Sequence, residues 1–98
     1  MPGGRAKSGA VARLYRVRGR VQGVGFRFFA VRVAEQIGVK GYVRNLDDGS
    51  VEVYAIGTPE QLSDLSGYLW HGPRLADVRG VEEQEAALGR YDSFVMEY

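Results

Sequence analysis

Polar and apolar residues alternate over the first part of the chain that shows a regular pattern. Between residues 15 and 22 the odd positions are apolar or glycine, and the even positions are polar, with arginine at three of the four. A period of two is typical of a strand that buries one face and exposes the other. We therefore predict a first strand over residues 15–22.

A helical period follows this strand. From Phe26 to Ile37, apolar residues recur at intervals of three or four positions, which is typical of a helix with one buried face. Gly38 comes directly after the last of them, and glycine is favoured there because it tolerates the positive φ that ends many helices. The pattern predicts an amphipathic helix that Gly38 terminates. The apolar residues on its face are Phe26, Phe29, Ala30, Val33, Ala34 and Ile37.

A hairpin and a second helix are predicted next. The dipeptide Asp48-Gly49 lies between the strand-like residues 39–46 and 50–56, and it is a common two-residue hairpin turn. The segment Thr58–Gln61 contains an N-cap threonine, a proline at the first helical position and the glutamine of a capping box. The sequence His-Gly-Pro at residues 71–73 is expected to end this second helix.

Two strands complete the predicted order. Residues 76–84 have Val78 and Val81 as apolar anchors, and their spacing of three predicts a bend near Gly80. Alternation over residues 94–98 predicts a short terminal strand. The order strand, helix, strand, strand, helix, strand (βαββαβ), with the short terminal strand added to it, predicts an α+β fold. We expect the ferredoxin-like split βαβ sandwich, in which both helices pack on one face of an antiparallel sheet.

Composition narrows the class of protein. Ninety-eight residues are enough for one domain with a modest core, and we expect a flexible N-terminal tail over residues 1–10 and a single domain over residues 11–98. The chain has no cysteine and one histidine. This composition excludes a disulfide framework and favours a cytoplasmic setting. No apolar run approaches the length of a membrane span, so no membrane association is expected.

Charge is distributed unevenly along the chain. Residues 1–45 hold ten Lys/Arg and one Asp/Glu, a net charge of +9, whereas residues 46–98 hold three and eleven, a net charge of −8. The basic half could create a positive field for an anionic ligand. Alternatively, the arginines of the first strand could pair across the sheet with carboxylates such as Glu52 and Glu82. We favour pairing for most of these charges.

The segment Gly19–Arg27 joins the first strand to the first helix. Its glycines at 23 and 25 allow the backbone to curl so that several N–H groups point to one place. The helix adds its positive dipole end and the unpaired amides of its first turn, and Arg27 adds a planar guanidinium that can bind two oxygens. Such turns also serve only to reverse the chain. The segment is therefore a candidate anion-binding loop.

Other residues do not indicate a catalytic centre. Asp47 and Asp48 lie in the predicted hairpin turn and lack further ligands at a metal-binding spacing. No serine or histidine is arranged as an activated nucleophile beside a base. We expect neither a metal nor a cofactor.

Two segments together carry a resemblance to a known family. Asn45 ends the segment Gly41–Asn45 and follows Arg27 by eighteen residues. This combination resembles the acylphosphatase family, and the resemblance extends from about Leu14 to Tyr98. It implies a small, metal-independent, monomeric enzyme with the ferredoxin-like fold and with the first strand inside the sheet. Such an enzyme hydrolyses the carboxyl–phosphate bond of acyl phosphates.

The resemblance also implies a role for each segment. Arg27 would bind the phosphate together with backbone amides, and the side-chain amide of Asn45 would orient the attacking water. The implied phosphate-binding residues are Gln22, Gly23, Val24, Gly25, Phe26 and Arg27. The leaving group is a carboxylate with a pKa of about 4, so it departs without a general acid. Inorganic phosphate or a similar anion is expected to bind in the same place.

Two other functions stay open at this point. The family resemblance includes a binding module at the start of large hydrogenase-maturation carbamoyltransferases, where carbamoyl phosphate is the relevant compound. RNA binding is a further alternative, because a ferredoxin-like sheet with a basic half can support it. However, the first strand lacks the paired stacking aromatics of an RNA-recognition motif. We therefore favour the small enzyme and do not expect a nucleic acid as its partner.

Overall fold

The computed structural model describes residues 9–98 and contains five strands and two helices. In chain order these are β1 (Val11–Arg20), α1 (Phe26–Ile37), β2 (Lys40–Asn45), β3 (Val51–Gly57), α2 (Pro59–His71), β4 (Asp77–Ala86) and β5 (Phe94–Met96). The tail predicted over residues 1–10 lies outside the described residues except for Gly9 and Ala10. It stays a prediction.

The five strands form one sheet in the order β4-β1-β3-β2-β5. The first four strands pair antiparallel, and both helices pack on one face. The predicted ferredoxin-like fold is confirmed, and β1 lies inside the sheet as expected. The terminal strand β5 pairs parallel to β2, so the complete sheet is mixed. Because β4 and β5 occupy opposite edges, the connection over residues 87–93 crosses the face that the helices leave open.

Strand β1 has the predicted alternation but different ends. Tyr15 and Val17 are fully buried beneath the helices, and the Tyr15 hydroxyl donates to the Leu62 carbonyl of α2 at 3.0 Å. The ladder runs from Val11 to Arg20 rather than over residues 15–22. Val21 is buried as the alternation requires, but it lies beyond the last ladder pair. Burial therefore continues where strand pairing has stopped.

The ends of both helices have the predicted caps. Gly38 has φ 98°, and its N–H donates to the Ala34 carbonyl at 2.8 Å. Thr58 and Gln61 form the capping box, with each side chain bonded to the backbone N–H of the other residue. Between the caps, apolar residues of α1 and α2 pack on the sheet. The helix residues that are buried are Phe26, Ala30, Val33, Ala34, Leu62, Leu65 and Leu69.

The ladder between β1 and β4 contains the predicted bend. Arg18 pairs with Gly80 and Gly19 pairs with Val78, which leaves Arg79 without a partner in the ladder. This one-residue irregularity is a β-bulge, and it explains the spacing of three between the apolar residues of β4.

The charges on the open face are largely paired. Arg18 lies 3.2 Å from Glu82, and Arg44 lies 3.1 Å from Glu52. Arg16 stands opposite Glu52 in the ladder, yet its guanidinium pairs with Asp48 of the β2–β3 turn. Ion pairs at a solvent-facing surface contribute little to stability, because water screens the charges. The pairs formed by Arg16 and Arg18 neutralise part of the positive charge of β1.

The connection over residues 87–93 is held to the open face by tyrosines. The rings of Tyr42 and Tyr54 stack with centroids 5.5 Å apart, and Tyr91 packs on both. The Tyr54 hydroxyl donates to the Ala87 carbonyl at 2.6 Å and accepts from the Gly89 N–H at 2.7 Å. This part of the open face is therefore covered by the chain itself.

We predict that Gly41→Ala strongly destabilises the fold. Gly41 has φ 140°, and a Cβ there would overlap the Tyr54 carbonyl oxygen of β3. The free energy of unfolding should fall by more than about 2 kcal/mol. Gly67→Ala is the matched control, because Gly67 lies on the exposed face of α2 with open space around it. The control should gain about 0.5–1 kcal/mol. Urea unfolding of both variants tests this, and similar small effects would contradict it.

Candidate active site

The loop between β1 and α1 presents backbone rather than side chains. Gly23 and Gly25 both have left-handed backbone, with φ 75° and 81°. Gly25 is the N-cap of α1 and makes no side-chain cap, and the first turn of the helix contains no acidic residue. The first amides of a helix lack intrahelical acceptors and carry the positive end of its dipole. The loop therefore combines free donors with a positive potential.

Arg27 lies in the first turn of α1 and points toward the end of the chain. Its Nη1 donates to the Glu97 carbonyl at 3.2 Å, and its guanidinium carbon lies 4.9 Å from the centre of the Tyr98 ring. Within residues 9–98, no carboxylate forms an ion pair with Arg27. A carbonyl and an aromatic face orient the guanidinium without neutralising it.

Asn45 ends β2 and has an unsatisfied side-chain atom. Its Oδ1 is buried and has no hydrogen-bond partner among the described residues. Leaving a buried acceptor unpaired costs about 1–3 kcal/mol, so such an atom calls for an explanation. The atom belongs to a residue that borders a depression of about 300 Å³. The residues lining the depression are Arg44, Asn45, Leu46, Asp47, Glu97 and Tyr98.

The C-terminal segment connects the two candidate residues. Glu97 and Tyr98 contact Arg27, and the same two residues line the depression beside Asn45. The Glu97 N–H donates to the Val43 carbonyl at 2.9 Å and so extends the pairing of β5 with β2. Arg27 and Asn45 thus lie at one end of the sheet. No pattern in the sequence indicates these contacts of Glu97 and Tyr98, because alternation predicts a terminal strand but not the residues beside it.

The Gln22 side chain has a contact that the sequence did not predict. Its Nε2 donates to the Leu46 carbonyl at 2.8 Å and to the Ser50 carbonyl at 2.9 Å. The resemblance to the family implied a role only for the backbone amide of Gln22. No pattern in the sequence indicated that this side chain reaches the turn between β2 and β3.

Asp48 organises that turn. It accepts from the Ser50 hydroxyl at 2.5 Å and from the Ser50 N–H at 2.9 Å, and it pairs with Arg16. These hydrogen bonds, those from Ser50 first, lower the pKa of Asp48 from 3.8 to about 2. The turn that follows Asn45 is therefore fixed by local hydrogen bonds and by an arginine of β1.

The described part of the chain contains no group of three histidine, cysteine, aspartate or glutamate residues close enough to hold a metal ion. Asp47 and Asp48 do not form such a group, and the carboxylate of Asp48 is already bound by Ser50 and Arg16. None of the described helices is both long and apolar enough to cross a membrane.

The described residues form a ferredoxin-like α+β fold in which one C-terminal segment contacts both Arg27, which has no carboxylate partner among them, and the depression beside Asn45. Comparison with known proteins identifies its family. The acylphosphatase family model matches residues 13–96, a range that includes the loop between β1 and α1 and also Asn45. The chain belongs to the acylphosphatase family. The members of this family are acid-anhydride hydrolases, and their substrates are small acyl phosphates.

Individual relatives agree with this assignment. The chain is 64% identical to an acylphosphatase of Solibacter usitatus over 89 residues, which cover 91% of this chain and 93% of that protein. It is 57% identical to an acylphosphatase of Pasteurella multocida, with coverage of 84% and 92%. The solved structure of an acylphosphatase from Coxiella burnetii has a TM-score of 0.89 and 33% identity, and the match covers 93% of this chain and 96% of that one.

The pKa of Asp48 leads to a prediction about acid stability. Because this pKa is lower in the folded protein, the charged form stabilises the fold above about pH 4, and the contribution is lost as the pH falls through about 2. Asp48→Asn should therefore flatten the decline in the free energy of unfolding over that range. Asp47→Asn is the control, since Asp47 has no such hydrogen bonds. Urea unfolding across pH tests this, and equal slopes in all three proteins would contradict it.

Proposed function

We propose that this protein hydrolyses small acyl phosphates by attack of water at phosphorus, with Arg27 and the loop amides binding the phosphoryl group and Asn45 orienting the water. One observation carries the proposal. The C-terminal segment contacts Arg27 and also lines the depression beside Asn45, a residue whose Oδ1 is buried and has no hydrogen-bond partner among the described residues.

The phosphoryl group would bind at the start of α1. The proposed donors are the backbone N–H groups of Gln22, Gly23, Val24, Gly25, Phe26 and Arg27. Support comes from the left-handed glycines, the positive end of the helix and the absence of acidic residues in its first turn. Arg27 would add two donors in one plane. Together these groups would stabilise the negative charge on the equatorial oxygens of the phosphoryl group. Inorganic phosphate would bind the same donors.

Asn45 would hold the nucleophile. Its Oδ1 can accept a hydrogen bond from a water molecule, which directs a lone pair of that water toward phosphorus. The amide does not titrate near neutrality and therefore acts through geometry rather than proton transfer. This role accounts for a buried acceptor that otherwise has no partner in the described protein.

The reaction balances without another protein group. The water oxygen forms a bond to phosphorus as the bond from phosphorus to the acyl oxygen breaks, and both electrons of that bond leave with the carboxylate. Carboxylates have a pKa of about 4, so the leaving group needs no proton. The protons of the water pass to the phosphate oxygens. The products are a carboxylate and inorganic phosphate.

The alternative functions receive less support. RNA binding would need the open face, but residues 87–93 cross that face and Arg16 and Arg18 are paired with carboxylates. A phosphate- or carbamoyl-phosphate-binding module would use the loop without requiring Asn45. The relatives named acylphosphatase favour hydrolysis over binding alone. A monomer in the cytoplasm stays our prediction.

We predict that Asn45→Ala lowers kcat for benzoyl phosphate by about 10²–10³-fold, because one positioned polar group is lost. Binding of inorganic phosphate should change little, since the loop and Arg27 remain. Steady-state hydrolysis with EDTA present and inhibition by phosphate measure the two effects. Unchanged turnover in folded Asn45→Ala protein would contradict the role of this residue.

We predict that Arg27→Ala damages both turnover and phosphate binding, because Arg27 would contact the phosphoryl group in the ground state and the transition state. Arg27→Lys is the matched variant. It retains the charge but not the planar pair of donors, and it should recover phosphate binding more than turnover. The same assays separate these outcomes, and full activity of Arg27→Ala would refute the proposed site.

A further inference from the structure

The side chain of Gln22 bridges the loop before α1 and the turn after β2. A single nitrogen, Nε2, donates to two main-chain carbonyls, those of Leu46 and Ser50, at 2.8 and 2.9 Å. An amide nitrogen has two protons, so both are used. The side chain is only partly exposed, and Ser50 is buried.

The two acceptors belong to the closing pair of the β2–β3 turn. The Leu46 N–H donates to the Ser50 carbonyl at 2.9 Å, and the Gly49 N–H donates to the Leu46 carbonyl at 3.1 Å. Leu46 directly follows Asn45 in the chain. The Leu46 N–H belongs to the peptide bond with Asn45 and donates to the Ser50 carbonyl that Gln22 also binds, so the position of the Ser50 carbonyl constrains the peptide plane next to Asn45. Gln22 lies in the loop that leads to Arg27, so its amide is a direct link between the segments that carry the two proposed functional residues.

The chemistry of this link requires a side-chain donor. Both acceptors are carbonyl oxygens, so a residue that can only accept would face two oxygens without a proton between them. An apolar side chain of the same length would fill the space but leave both carbonyls without this partner. Glutamine can bind both carbonyls because the two protons of its NH₂ group are on the same nitrogen.

We infer that Gln22 is a positioning residue, which fixes Asn45 relative to the phosphate-binding loop through the turn at Leu46 and Ser50. This inference rests on the proposed function, since it assigns to Gln22 the placement of the residue that orients water. The role belongs to the side chain and is separate from the proposed contribution of the Gln22 backbone amide to phosphate binding. It acts on turnover through Asn45 and not through contact with the substrate.

Gln22→Met tests the link directly. Methionine has a similar length and no donor. We expect kcat for benzoyl phosphate to fall by about 10- to 100-fold, the loss associated with a misplacement of about 1 Å. Inhibition by inorganic phosphate should stay within about threefold of wild type, because the loop amides and Arg27 are retained. Gln84→Met is the matched control on an exposed position of β4, and it should leave both quantities unchanged.

A double-mutant cycle separates positioning from general damage. If Gln22 acts through Asn45, then Gln22→Met should cause little further loss of kcat in a protein that already contains Asn45→Ala. Full additivity of the two losses would overturn the inference. So would wild-type turnover of Gln22→Met while Asn45→Ala is impaired, and in that case the proposed function would stand. If Asn45→Ala itself retains full turnover, the proposed function fails first.

Gln22→Glu provides a second test within a single protein. The new carboxylate would face two carbonyl oxygens, an arrangement that raises its pKa above the ordinary value of about 4.3. Once protonated, it can donate one hydrogen bond. We expect kcat of this variant, divided by that of wild type, to rise as the pH falls through the new pKa. A ratio that does not change with pH would contradict the inference, and circular dichroism at each pH would verify that the variant is folded.

Discussion

The pairing of β5 with β2 is the constraint on which the site depends. Gly41, Tyr42 and Val43 pair with three consecutive residues of β5, and the Glu97 N–H continues the pairing beyond the strand. The chain reaches this edge only because residues 87–93 cross the open face, where tyrosines hold them. Without the pairing, neither Glu97 nor Tyr98 would lie against Arg27, and the depression at Asn45 would lose one of its walls.

Arg27 differs from most of the arginines in the sheet, although Arg20 of β1 also has no ion pair among the described residues. Arg13, Arg16, Arg18 and Arg44 each have a carboxylate partner, whereas Arg27 has none among the described residues. It is instead oriented by a backbone carbonyl and an aromatic ring. In the first turn of a helix a cation opposes the dipole. An anion between the loop amides and the guanidinium would relieve this repulsion, which is consistent with the proposed binding of a phosphoryl group.

Local patterns predicted most of the fold. The period of α1 and its stop at Gly38, and the capping box from Thr58 to Gln61, depend on residues within a few positions of one another, and both were predicted correctly. The end of β1 was misplaced because Val21 keeps the alternation after the ladder has ended. The pairing of Arg16 was also missed, since its partner is in a turn and not directly opposite.

The sequence indicates only some of the groups in the candidate site, whose roles stay a prediction. The glycines and Arg27 are adjacent in sequence, and Asn45 was added by resemblance to a family. The contacts of Glu97 and of the Gln22 side chain join residues that are 70 and 24 to 28 positions apart. Such contacts follow from the order of strands in the sheet and have no local signature. The candidate chemical groups can therefore be found in the sequence, whereas the contacts that hold them in place depend on the packed sheet.

The most direct test of the account is the fate of the water oxygen. Benzoyl phosphate would be hydrolysed by the wild-type protein in ¹⁸O-labelled water with EDTA present, and both products would be analysed by mass spectrometry. Attack at phosphorus places one labelled oxygen in each phosphate formed and none in benzoate. Label in benzoate would mean that water attacks the acyl carbon, and it would contradict a site built to bind the phosphoryl group and to direct water toward it.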